Sequence, residues 1–95
     1  MVFLELLGRR WVLRILWEFQ HQERMSFNEL QARCDGVSPS VLSQRLRDLR
    51  DAQLLEMEET GWYSLTEIGR ELERPLATLD NWTKRWAKRL VGDRR

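Results

Sequence analysis

Residues 26–52 read SFNELQARCDGVSPSVLSQRLRDLRDA, and this stretch holds the signals that decide the fold. Ser26 and Glu29 form a capping box, in which the serine hydroxyl accepts a hydrogen bond from the amide three residues on and the glutamate reaches back. The pattern predicts a helix from Ser26 to near Cys34. Asp35-Gly36 then predicts the turn that ends this helix.

A second helix is predicted directly after the turn, from Ser38 to about Asp51. Ser38 is a favoured N-cap, and Pro39 suits the first helical position, where its missing N–H costs nothing. One apolar stripe follows at spacings i, i+4 and i+7: Leu42, Leu46 and Leu49. Two helices joined by a turn of about four residues that contains glycine indicate a helix-turn-helix.

The residues before this unit predict two further helices. A short apolar helix is expected within residues 2–7, and an amphipathic helix from about Arg9 to His21. The apolar segment is followed at once by Gly8-Arg9-Arg10, whereas a signal peptide has its basic residues first and a membrane span needs about 20 apolar residues. We therefore expect a cytoplasmic protein that does not contact the membrane.

A β-hairpin is predicted next. Apolar residues alternate over 54–58 and 62–65 around the turn signal Thr60-Gly61. A hairpin directly after a helix-turn-helix predicts a mostly α fold with a small hairpin, a winged helix-turn-helix, and 95 residues suffice for one domain. The predicted bounds are 1–95 for the domain, 26–52 for the helix-turn-helix and 54–65 for the wing.

The last helix is expected to be capped by Thr66, to run over about 67–90 and to mediate dimerisation. Pro75 lies inside it and predicts a kink or break near Arg74. Its apolar stripe is longer than a small core can cover, and exposed aromatic patches mark partner surfaces. With the apolar N-terminal segment it predicts a homodimer interface of Phe3, Leu7, Leu79, Trp82, Trp86 and Leu90. The alternative is packing of this stripe on the domain's own core.

The face of the second helix opposite its leucines carries side chains that suit double-stranded DNA. At 100° per residue it presents Ser40, Ser43, Gln44 and Arg47, with Asp48 and Asp51 farther along. Glutamine pairs with adenine, arginine with guanine, and serine hydroxyls reach phosphates or base edges. Arg9 and Arg10, at the start of the first amphipathic helix, are candidate phosphate contacts, and Arg33 and Arg45 are weaker ones. An ordinary solvated polar face is the alternative.

The charge distribution leaves a second function open. The net charge is +1 with 33% charged residues, which argues against a polybasic tail. It does not exclude DNA binding, because local charge placement matters more than the sum. The predicted wing carries Glu56, Glu58 and Glu59 with no cation before Arg70, so we expect it to add little to DNA affinity. The alternative is a winged helix protein–protein interaction module with the acidic wing as its partner surface.

Other chemistries have little support in the sequence. One cysteine, Cys34, and one histidine, His21, make neither an internal disulfide nor a zinc site. We expect no catalytic residues, metal or cofactor, since a glycine-rich phosphate loop and paired acids are absent from the sequence. Cys34 is expected to be a buried filler and His21 to bond the carbonyls at a helix end. A small aromatic effector near Trp11, Trp17 or Trp82 stays open.

Several runs of the sequence resemble the HxlR-type winged helix regulators over about residues 8–82. The most specific are Val37–Leu49 and the Tyr-Ser-Leu-Thr run that begins at Tyr63. The remaining runs are Gly8-Arg9-Arg10-Trp11, Ile15-Leu16, Ser26–Leu30, Ile68–Leu72, Pro75-Leu76 and Trp82. MarR-type and PadR-type winged helices share the architecture but fit these runs less well.

The resemblance implies a homodimeric regulator that binds an inverted repeat, with the terminal helices as its dimer interface. It places the groove-reading segment at Ser38 to Arg47. Two departures have consequences. The hairpin here is shorter and lacks the family's basic residues, which weakens the case for wing contacts. Many members also sense oxidants through a cysteine ahead of the first helix, and this sequence has none before Cys34, so that mechanism is not implied.

Overall fold

The structure is a computed structural model that describes residues 2–92. Within that range, six helices and three short strands follow one another. They are α1 (Val2–Leu7), α2 (Val12–Glu18), β1 (Arg24–Met25), α3 (Phe27–Arg33), α4 (Pro39–Asp51), β2 (Leu55–Met57), β3 (Tyr63–Leu65), α5 (Glu67–Arg70) and α6 (Glu73–Gly92). The mostly α fold with a small wing agrees with the sequence-based expectation.

The helix-turn-helix forms where the sequence signals predict it. The hydroxyl of Ser26 accepts a hydrogen bond from the Glu29 amide at 3.2 Å, and that of Ser38 accepts from the Val41 amide at 3.3 Å. Gly36 has φ of +90°, a left-handed conformation that favours glycine and lets the chain turn from α3 into α4. Both serine N-caps are thus confirmed, whereas the Glu29 side chain does not complete the predicted capping box by accepting from the Ser26 amide.

The core forms around the leucine stripe of α4, which the sequence predicted. Leu42, Leu46 and Leu49 are at most 1% exposed. They share one cluster with buried apolar residues of α2, β1 and α3: Val12, Ile15, Leu16, Met25 and Leu30. This packing fixes one side of α4 to the domain and leaves the opposite side outward.

The wing is part of a three-stranded antiparallel sheet with the order β1-β3-β2. β2 and β3 pair with Leu55 opposite Leu65, and Gly61 has φ of +88° in the turn between them. This confirms the predicted hairpin, with shorter strands. The sequence did not predict β1, because two residues are too few to show an alternating pattern.

The first amphipathic helix is shorter than predicted. The sequence suggested Arg9 to His21, whereas α2 spans Val12–Glu18. Trp11 has φ of +78°, so the chain makes a turn between α1 and α2 rather than a continuous helix. Arg9 and Arg10 therefore lie in this turn and not in the first turn of a helix.

The predicted single C-terminal helix is divided into α5 and α6. The hydroxyl of Thr66 accepts from the Gly69 amide at 3.1 Å, which confirms the predicted cap. The break lies at Glu71 and Leu72, slightly before the expected position. Pro75 has no N–H for the carbonyl of Glu71 and its ring crowds that carbonyl, so a regular helix cannot pass through.

The short helix α5 lies very close to the start of the wing. A Cβ atom on Gly69 would overlap the backbone carbonyl of Leu54. The hydroxyl of Thr66 also donates to the carbonyl of Gln53 at 2.7 Å. Both contacts hold the wing against the helical body.

None of the helices in residues 2–92 has the length and apolar character needed to cross a bilayer.

Candidate nucleic-acid interface

The predicted groove-reading side chains share one outward face of α4. The five residues nearest its N-terminus that were predicted to contact DNA are all exposed: Ser38, Ser40, Ser43, Gln44 and Arg47. They project away from the buried leucines of the same helix. Ser38 also has a structural role as the N-cap, and its hydroxyl lies 3.4 Å from that of Ser40.

Asp48 does not lie on the open face, where the sequence analysis placed it. Its side chain is 11% exposed and collects three donors. Nη1 of Arg9 lies 3.0 Å and Nη1 of Arg45 2.9 Å from Oδ2, and Nε2 of Gln44 donates to Oδ1 at 2.9 Å. The helical spacing of 100° per residue did not predict the burial of Asp48, because the turn before α2 covers that flank of α4.

The charge of Asp48 is stabilised by these donors. Burial alone would raise the pKa of the carboxyl. Hydrogen bonds from Gln44, Arg45 and Arg9, together with the positive charge of Arg9, outweigh that effect and hold the pKa below its usual value. Asp48 is therefore an anion at neutral pH, bonded to two arginines.

The turn before α2 brings two predicted arginines beside α4. Arg9 keeps half of its side-chain surface exposed while it bonds Asp48. The guanidinium of Arg10 lies 5.4 Å from the ring centroid of Trp11, and its carbonyl accepts from Nε of Arg45 at 3.1 Å. The turn and α4 are thus joined through Arg9 and Arg45.

The two weaker phosphate candidates are largely engaged by the protein itself. Arg45 is only 22% exposed and bonds both Asp48 and the Arg10 carbonyl. Arg33 lies 3.5 Å from the carboxylate of Glu18, which also accepts from Arg14 at 2.8 Å. These contacts within the protein account for the placement of the Arg33 and Arg45 side chains without a bound phosphate.

The wing is less acidic than its own sequence suggests. Strand β1 places Arg24 beside it, with Nη1 3.1 Å from Oε1 of Glu58. The Arg24 guanidinium also lies 5.4 Å from the ring centroid of Trp62. The sequence around the wing did not indicate this cation, because Arg24 precedes Glu58 by 34 residues. The small contribution of the wing to DNA affinity stays a prediction. Glu56 and Glu59 remain exposed.

Cys34 and His21 have structural surroundings. Cys34 is fully buried in the core, as expected of a filler residue. Burial raises the pKa of its thiol, and the charge of Glu18 adds to this while that of Arg14 opposes it. His21 is exposed and packs edge-on to Trp17 with ring centroids 5.5 Å apart. In residues 2–92 no three side chains cluster as metal ligands would.

The apolar stripe of α6 extends beyond the core. Leu76 is buried, and Leu72, which directly precedes α6, packs partly against the core. The alternative of packing on the domain's own core therefore holds for this end of the predicted stripe. Four residues farther along are 46–52% exposed: Leu79, Trp82, Trp86 and Leu90. Phe3 in α1 is 73% exposed, whereas Leu7 is half-buried against the core.

Comparisons with known proteins agree with this architecture. The family model described as HxlR-like helix-turn-helix matches residues 6–91. The uncharacterized HTH-type transcriptional regulator YvaP of Bacillus subtilis is 30% identical over 88 residues, which are 86% of this chain and 81% of that protein. The regulator YdzF of the same organism is 28% identical over 85 residues, covering 83% and 78%.

Solved structures show the same fold. A possible HxlR family transcriptional factor from Thermoplasma volcanium has a TM-score of 0.79 and 28% identity over 90% of this chain and 81% of that one. Quinone-bound YodB from B. subtilis has a TM-score of 0.78 and 26% identity, covering 85% and 89%. The chain is a winged helix-turn-helix transcriptional regulator and belongs to the HxlR-like family.

Proposed function

We propose that this protein acts in the cytoplasm as a homodimer that binds an inverted-repeat operator through α4. The observation that carries the proposal is the two-sidedness of this helix. Three leucines hold one side in the core, while Ser40, Ser43, Gln44 and Arg47 project from the other. A helix fixed in this way is free to enter a major groove with its N-terminal half.

Individual side chains have suitable chemistry for direct readout. Gln44 uses one N–H for Asp48, which leaves its second N–H and its carbonyl oxygen for the N7 and N6 edge of adenine. Arg47 is exposed and has a guanidinium that matches guanine O6 and N7. Arg9 and Arg10 lie beside the helix in the turn before α2, where we propose that they contact phosphates.

The exposed apolar surface supports dimerisation. Leu79, Trp82, Trp86 and Leu90 are about half exposed on α6, and Phe3 is more exposed on α1. Apolar side chains of this size seldom remain in water over such a length. A two-fold dimer would place two α4 helices about 34 Å apart, one turn of the duplex.

The alternative of a protein–protein module was favoured by the near-neutral net charge and by three carboxylates in the wing. Arg24 pairs with one of them, Glu58, at 3.1 Å. Nothing else in residues 2–92 favours a protein partner for the wing over DNA for α4. The membership in a family of transcriptional regulators also argues for binding without catalysis.

Selection of bound sequences from a random duplex pool tests the proposal. We expect an enriched inverted repeat whose half-sites are about 10 base pairs apart, centre to centre. Affinity for that repeat should fall linearly with the logarithm of salt concentration, because phosphate contacts release counterions. A pool without an enriched repeat, or salt-independent binding, would reject the proposal.

A further inference from the structure

The exposed side chains Ser40, Ser43, Gln44 and Arg47 of α4 form the proposed reading surface, and one carboxylate lies beneath it. Asp48 is mostly covered, and a negative charge at this place repels the phosphates of a duplex. Nevertheless it holds two of the groups proposed to contact DNA. Oδ2 accepts from Arg9 and Oδ1 accepts from Gln44, so each oxygen orients a different side chain.

The bond to Gln44 fixes which end of its amide faces the helix. An ionised carboxylate only accepts hydrogen bonds, so the amide nitrogen must face Asp48. The remaining N–H and the carbonyl oxygen then face outward in one defined order. Readout of adenine needs that order, because N7 accepts and N6 donates.

The bond to Arg9 fixes a side chain that has a flexible stem. Arg9 lies in the turn before α2 and half of its side chain is exposed. Asp48 accepts from one of its terminal nitrogens, which leaves other guanidinium N–H groups for a phosphate. Without Asp48, the arginine would sample many rotamers, and ordering it on the duplex would cost more.

We propose that Asp48 is a positioning residue for DNA recognition. It sets the amide orientation of Gln44 and holds the Arg9 side chain toward the phosphate backbone of the duplex. Asp48 itself does not contact DNA. This inference rests on the proposed function. It also predicts an effect opposite in sign to simple electrostatics. Neutralising a carboxylate near DNA should tighten binding by charge alone, whereas losing a positioning residue should weaken it.

The experiment compares Asp48→Asn with Asp51→Asn in the full chain. Both remove one negative charge from α4, and Asp51 is exposed three residues later. We expect Asp48→Asn to bind the selected operator about three- to tenfold more weakly, with a smaller preference for adenine and a salt slope lower by about one. Asp51→Asn should bind as well as the wild type or more tightly.

Two further variants separate positioning from a general loss of stability. Adding Asp48→Asn to a chain that already carries Arg9→Ala and Gln44→Ala should cause no further loss of affinity. Asp48→Glu, which retains an anionic acceptor, should restore most of the adenine preference. If Asp48→Asn does not fold, Asp48→Ser replaces it with the same expectations.

The outcomes are distinct. A wild-type chain that selects no DNA sequence rejects the proposed function. If the wild type is selective but Asp48→Asn behaves like Asp51→Asn, only the positioning role of Asp48 is overturned. The role would also be overturned if Asp48→Asn reduced affinity in the Arg9→Ala, Gln44→Ala double variant as much as it does in the wild type.

Discussion

The indole rings of Trp82 and Trp86 stack on each other, with centroids 5.5 Å apart and ring planes inclined by 23°. The two residues are one helical turn apart on α6, and each is about half exposed. Their stacking makes one flat apolar surface on a part of the helix that the core does not cover. In the proposed homodimer, this surface would be buried against a second copy of the chain.

Trp86→Glu should convert the proposed dimer to monomers. The substitution places a charge in the middle of the proposed interface, where desolvation without a partner is costly. Sedimentation velocity measures the change. Asn81→Glu is the matched control, since residue 81 is exposed on a different side of α6 and should leave the dimer intact. An unchanged dimer in Trp86→Glu, or a monomeric wild type, would contradict the proposed interface.

Arg47→Ala should reduce operator affinity by about 1–3 kcal/mol and relax the base preference at one position, if Arg47 reads guanine. Titration of the selected operator and its single-base variants by fluorescence anisotropy measures both effects. Arg50→Ala removes the same charge about 4.5 Å further along α4 and should leave the base preference unchanged. An equal loss on all sequences would make Arg47 a phosphate contact instead.

Gly69→Ala should destabilise the domain by about 1–3 kcal/mol, because its Cβ would overlap the Leu54 carbonyl and push the wing from α5. Helix propensity alone predicts the opposite sign, since alanine is favoured over glycine within a helix. Urea unfolding measures the free energy. Gly92→Ala, where a Cβ meets open space, should cause no loss. If Gly69→Ala stabilised the chain, residue 69 and the Leu54 carbonyl would not be in close contact.

The Cys34 thiol should react slowly with a thiol-specific reagent in the native protein at neutral pH. Burial removes access, and the raised pKa lowers the thiolate fraction. The reaction should become fast in a denaturant that unfolds the chain, and that sample is the control. Rapid labelling of the folded protein would instead indicate an accessible thiolate.

The stabilisation that the protein gains from the hydrogen bonds and ion pairs of Asp48 should be lost in acid. Its pKa is lower in the folded state than in the unfolded state, so the unfolded chain binds more protons as the pH falls through this range. The stabilisation is complete above the ordinary pKa of aspartate and is lost as the pH falls through the lowered value. Comparing urea unfolding of the wild type and Asp48→Asn from neutral to acid pH measures it. A pH-independent difference would contradict this origin.

The helix-turn-helix was predictable because its signals are local. Ser26 and Ser38 each cap a helix whose first turn follows directly in the sequence, and Gly36 provides the turn. The leucine stripe of α4 defines a buried side and therefore the outward side as well. The four residues of the proposed reading surface follow from these features: Ser40, Ser43, Gln44 and Arg47.

The features that the sequence did not predict depend on contacts between distant segments. Trp11 adopts a left-handed conformation that aromatic side chains seldom favour, so nothing in the sequence indicated that α2 begins so late. Asp48 lies on a predicted polar face, yet Arg9 and Arg45 cover it. The pairing of Arg24 with Glu58 needs a strand of only two residues to bring them together.

The position of β1 has a practical consequence for exchanging parts between relatives. A hairpin grafted from another regulator would replace Glu58 but keep Arg24, and a graft without a carboxylate at position 58 would leave Arg24 without this ion-pair partner. The surface charge of such a chimera is determined jointly by residues 24 and 58. Grafts of this wing should therefore include residues 24–25 together with the hairpin.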